Sequence, residues 1–150
     1  MLDPSSFKTE PLQRIAEYWL GKRQPGRLPG RPDIKPEELR RNLPYIYLVD
    51  IGTDPLNFRF RLVGTRISIW SGHDYTGVSI NEAEYGPRWR RIFEDYRSIM
   101  ETREPTRAEL YGPWPTREHY YYERFLAPLA ADGSTVDMIL GALCAISAPD

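Results

Sequence analysis

YIYLVDIGTDPLNFRFRLVGT, residues 45–65, reads as two strands and the turn between them. YIYLVDI (45–51) is a β-rich apolar run, and GTDPLN supplies turn residues. FRFRLVGT (58–65) then alternates, with Phe58, Phe60 and Leu62 on one face and Arg59, Arg61 and Val63 on the other. Two such runs joined by a short polar turn predict an antiparallel hairpin ending at Gly64.

Working outward, residues 65–83 show no long period and read as short helical turns broken by Gly72 and Gly77. From Pro87 to about Arg103, Trp89, Ile92, Phe93, Tyr96, Ile99 and Met100 fall on one stripe, which predicts an amphipathic helix. Strand candidates follow at 106–111, 118–129 and 135–147. The last is apolar on both faces, the mark of a central strand covered on both sides. Upstream, PEELRRNL (36–43) reads as one or two helical turns, and Lys22 to Asp33, rich in Pro and Gly, as an extended linker. Pro11 to Leu20 places Leu12, Ile15, Ala16 and Trp19 at helical spacing. The sum is α+β: about five antiparallel strands, short helices and one longer connecting helix on one face, and an N-terminal amphipathic helix. That helix has two readings. It caps its own sheet, or it pairs with its twin, with Leu12, Ile15 and Trp19 as the dimer interface. The domain division expected is 1–27 for helix and linker and 28–150 for the body.

A length of 150 residues suits one core, and a net charge of −1 gives no global attraction to nucleic acid or acidic membrane. The start MLDPSSFKTE has no apolar run, no stretch is long enough to span a membrane, and one cysteine forms no internal disulfide. A cytoplasmic location is the expectation. Ten tyrosines, four tryptophans and five phenylalanines are a heavy aromatic load. It suits a ligand pocket, a sheet core or a dimer contact alike.

RLVGTRI (61–67) followed by GHDYTG (72–77) resembles the second strand and first helical turns of PAS domains. LPGRPDIKPEELRRNLPYIYLVDI (28–51) resembles the entry of a short, stand-alone bacterial branch of that superfamily. The resemblance covers roughly residues 28–147. It implies the PAS fold, and it leaves function open, because PAS domains bind haem, flavin, metabolites or nothing, and many act by dimerising.

The cofactor is therefore unknown. The flavin-binding photosensors of the superfamily use a cysteine in an Asn-Cys-Arg-Phe-Leu-Gln phrase after the hairpin. Here the only thiol, Cys144, falls late in the last strand. Haem or metal is disfavoured, since His73 and His119 have no second ligand at a recognised spacing. Arg88–Arg91 (RWRR) reads as a solvated helix face among acids, and no phosphate loop or nucleophile elbow occurs.

The aromatic residues carry the site expectation: Trp70, Tyr75, Tyr120 and Tyr122 share a hollow, with Tyr111 and Trp114 at its edge. Period-2 alternation leaves His119, Tyr121 and Glu123 on the opposite face, and which set points inward is open. The leading functional reading is a non-catalytic regulatory sensor or interaction module that takes a small apolar or aromatic ligand, or simply dimerises, and passes its signal to another protein. The alternative is a small enzyme or carrier with an aromatic pocket, against which stands the lack of convergent acid–base residues.

Overall fold

In the computed structural model, described for residues 1–81, 85–112, 114 and 121–147, five strands form one antiparallel sheet. They are β1 (Ile46–Gly52), β2 (Asn57–Val63), β3 (Thr106–Tyr111), β4 (Tyr121–Leu129) and β5 (Met138–Ser147), in the order β2-β1-β5-β4-β3. Helices among the described residues include α1 (Glu10–Lys22), α2 (Thr65–Ser71) and α3 (Trp89–Thr102). The expected α+β architecture is what the chain adopts.

Strand β5 lies between β1 and β4, and its two apolar faces enter two cores. Ile139 and Leu143 pack on the inner side with Ile92, Tyr96 and Ile99 of α3. Leu140, Ala142 and Cys144 pack on the outer side with Leu12, Ile15, Ala16 and Trp19 of α1. Residues on alternate sides of a pleated strand meet different layers, so one apolar run serves both.

Of the two readings of α1, the structure takes the first. Leu12, Ile15 and Trp19 each have no exposed surface within a single chain, which corrects their assignment as a dimer interface. The Trp19 indole Nε1–H donates to the Pro128 carbonyl at 3.0 Å. The N-terminus of α1 is held by Glu123, a fully buried carboxylate on β4. It accepts from the backbone N–H of Lys8 (2.7 Å) and Thr9 (3.0 Å), from Thr9 Oγ1 (2.7 Å) and from Arg107 Nε (2.8 Å). A carboxylate at a helix N-terminus satisfies donors that have no intrahelical acceptor and opposes the positive end of the helix dipole.

The expected linker is strapped down. Leu28 donates its N–H to Gly133 O (2.8 Å), and Ala130 donates to Pro29 O (2.9 Å), so the segment lies along the β4–β5 turn with Leu28 buried. Extended backbone around prolines leaves its polar groups free to pair with whatever chain passes beside it. Helix, strap and sheet share one outer core, and the packing shows no break at residue 27. PEELRRNL forms two 3-10 turns, Pro36–Glu38 and Arg40–Tyr45, rather than α-helix.

The hairpin departs from strict alternation. Val49 pairs with Phe60 but Leu48 pairs with Leu62, so Arg61 is the extra residue of a β-bulge. Beyond the bulge the faces exchange. Val63 turns inward, and Leu62, expected beside Phe58 and Phe60, is 44% exposed.

Candidate functional site: an aromatic cavity with one buried arginine

The inner core holds a cavity of about 40 Å³. Strands β1 and β2 contribute Tyr47, Phe60 and Val63, helices α2 and α3 contribute Ile67, Ile92 and Tyr96, and β4 and β5 contribute Arg124 and Leu143. Tyr75, Tyr85, Leu110 and Trp114 also line it.

Tyr47 can reach this position because its cross-strand neighbour on β5 is Gly141. Any Cβ at Gly141 would collide with the Tyr47 ring, which lies flat across the glycine. The ring thereby extends toward α3, where the Tyr96 hydroxyl donates to the Tyr47 hydroxyl at 3.2 Å. Burial pushes the Tyr47 phenol up, and burial with the adjacent Tyr47 phenol pushes Tyr96 well above the usual value. Both remain neutral hydrogen-bonding groups. On the far wall Tyr75 stacks on Tyr85 with ring centroids 5.5 Å apart and planes 24° from parallel, and Phe60 meets both rings.

Among the described residues Arg124 is the one charged member of the wall. It sits on β4 opposite Leu143 and Ala108, with its side chain only 9% exposed. Its Nη2 donates to Asp95 Oδ2 of α3 at 2.9 Å. Among the described residues its buried Nε finds no acceptor. Buried N–H donors nearly always have a partner, so an unmet one on a residue that lines a cavity invites a ligand or a water.

The sequence-predicted residues divide as follows. Tyr75 and Trp114 line the cavity. Tyr122 is fully buried, with its ring edge-on to Trp114 at 5.3 Å, and Trp70 packs on Tyr122 at 5.8 Å and on Tyr45. Tyr122 thus points inward and Glu123 outward, which decides the face of that strand. Tyr111 stands apart, 62% exposed and edge-on to Tyr121, because alternation on β3 turns Leu110 to the cavity and Tyr111 away. Tyr120 and His119 lie outside the described residues. Tyr47, Tyr96 and Arg124 were missed. The available signal was charge: Glu123-Arg124 interrupts an otherwise aromatic and aliphatic strand, and such a strand gives each charge a specific partner.

His73 is exposed in the turn after α2, with its ring edge against Tyr75 at 4.8 Å. No group of three His, Cys, Asp or Glu suited to a metal ion occurs among the described residues. No described helix is long and apolar enough to cross a membrane.

Solved structures similar to this chain include a light-oxygen-voltage (LOV) domain studied with a flavin analogue. It has TM-score 0.56 and 18% identity, over 74% of this chain and 83% of that one. A Rhodobacter sphaeroides LOV protein has TM-score 0.54 and 17% identity, over 69% and 59%. The LOV domain of an Erythrobacter litoralis blue-light activated histidine kinase has TM-score 0.53 and 14% identity, over 71% and 99%. At such identities the likeness shows the fold. The cavity does not fit a flavin: cofactor-sized pockets run to about 300 Å³ and more, against about 40 Å³ here. The thiol of Cys144 lies in the outer core behind the sheet, where burial pushes its pKa up. No curated protein matches the chain. The family pattern described as "PAS domain" does match, over residues 7–144, and it begins before α1, as the shared outer core requires. The strand order, the helices between β2 and β3, and this match over nearly the whole chain agree: the chain belongs to the PAS domain family.

Proposed function

We propose that this chain is a non-catalytic regulatory sensor module that takes a small molecule in its inner core and answers by changing its contacts with another protein or a second copy of itself. The observation that carries the reading is Arg124: a buried guanidinium whose Nε meets no acceptor among the described residues and which forms part of a cavity wall. Structural arginines in cores are normally fully paired. A wall of tyrosines, Trp114 and aliphatic side chains binds and orients, and among the described residues it brings together no acid–base pair able to drive a reaction. The contacts that α1 makes through Glu123 and Trp19 offer a route outward, since β4 carries Arg124 on one face and Glu123 on the other. A homodimer is part of the proposal, formed through surfaces other than Leu12, Ile15 and Trp19.

Native mass spectrometry of the chain purified without added ligand tests the reading. The expected result is a stoichiometric extra mass on the folded chain that is lost in Arg124→Met. Turnover of a substrate that disappears in Trp70→Ala or Tyr122→Ala would instead make the chain an enzyme and overturn the reading.

A further inference from the structure

The cavity's own groups narrow the ligand class. Resting on the sensor reading, we propose that the cavity takes a small neutral molecule of about three heavy atoms or fewer, carrying one carbonyl or hydroxyl oxygen that accepts from Arg124 Nε.

Three observations lead there. The first is the donor: Arg124 lines the cavity, and its buried Nε is bonded to nothing among the described residues. An occupant with an acceptor oxygen relieves that unmet N–H, whereas a pure hydrocarbon leaves it unmet. The second is charge. Asp95 Oδ2, 2.9 Å from Nη2, already balances the guanidinium. A carboxylate at Nε would crowd a second anion onto the same guanidinium and leave net negative charge among Val63, Leu143 and tyrosine rings. Unbalanced charge in an apolar enclosure is costly, and a neutral oxygen avoids it. The Tyr47 and Tyr96 phenols, bonded to each other and held neutral by burial, supply no counter-charge. The third is size. A cavity of about 150 Å³ admits benzene, and one water needs roughly 10–15 Å³. The volume of about 40 Å³ therefore excludes an aromatic ring and admits about three heavy atoms, an oxygen with one or two carbons against Val63, Ile67 and Leu143.

The test is an NMR titration of the full 150-residue chain, reading the Arg124 Nε–H and the methyl groups of Val63, Ile67 and Leu143. The probes are ethanol, a neutral acceptor; formate, an anionic one; and xenon, which has no acceptor. Ethanol is expected to shift both sets of signals saturably, with formate at least about tenfold weaker because its charge is left unbalanced in the cavity. Arg124→Met is expected to weaken ethanol by about tenfold, the scale of one buried hydrogen bond, and leave xenon binding intact. Arg124→Lys keeps a positive charge facing Asp95 but removes the Nε donor, so it is expected to show the same loss in a chain that retains its fold. Formate binding as tightly as ethanol, or ethanol indifferent to Arg124→Lys, overturns the proposal. Xenon entering while ethanol is excluded means that the cavity holds only water at Nε, which overturns the ligand class but leaves the cavity. If none of the three probes shifts the methyl signals, the sensor reading falls with it.

Discussion

Replacing Glu123 by Gln is the perturbation that most directly asks what holds α1 to the sheet. The carboxylate is fully buried, and it collects the Lys8 and Thr9 N–H groups, Thr9 Oγ1 and the Arg107 guanidinium. Glutamine keeps the volume but removes the charge, and turns an amide NH2 toward groups that are mostly donors. Removing one partner of a buried ion pair costs about 3–5 kcal/mol. The Arg107 side chain is 20% exposed and keeps Glu109 at 2.7 Å, so the lower end, about 3 kcal/mol, applies. At about 1.36 kcal/mol per decade, that is roughly a hundredfold in the equilibrium for undocking the helix. Amide hydrogen exchange reads it directly: protection across residues 13–22 is expected to fall about a hundredfold. Amides of β5 that exchange through global unfolding lose at most the same factor, because the same native contacts are lost by both routes. Protection in α1 that falls less than about tenfold, or β5 protection that falls while α1 protection holds, would refute the claim that this carboxylate holds the helix.

Gly141→Ala drives a methyl group into the Tyr47 ring, and overpacking of this kind costs about 1–3 kcal/mol. Urea unfolding should show the loss as a lower midpoint, and an unchanged midpoint would mean that the ring moves freely. Acid should loosen the other end of α1. Arg23 bonds Glu104 twice at 2.8 Å and holds its carboxyl below the usual range, while Tyr18 and Lys22 do the same for Glu38. A carboxyl lowered in the fold lends stability above its unfolded pKa and loses it as pH falls through the folded value, so the loss begins below about 4.5. These groups are partly exposed, and the effect is modest. Exchange rates of the α1 amides corrected for intrinsic pH dependence should rise between pH 5 and 3 (both about) and do so less in Arg23→Met; an equal rise in both proteins would rule the pair out.

Much of the fold was legible because it rests on local periods. The stripe from Trp89 to Met100 is α3, TRAELY is β3, and the doubly apolar run at the C-terminal end is the central strand. Short-range patterning also identified α1 as an element that must be buried. It did not say against what, since a sheet and a second copy of the helix bury the same residues. The site was less legible. Trp114 and Tyr75 reached the cavity, but Tyr111 did not, and Arg124 and Tyr47 were not foreseen.

The sequence by itself determined which segments are strands and helices and which residues want burial, because side-chain period and backbone preference are properties of neighbours in the chain. Tertiary structure alone decided the rest. The bulge at Arg61 reversed the faces of Leu62 and Val63, since register depends on the partner strand. Gly141 mattered only once Tyr47 lay opposite it. Glu123 and Arg124, adjacent in the chain, became a helix anchor on one side of the sheet and the charged wall of a cavity on the other. A buried charge takes its role from the partners the fold brings to it.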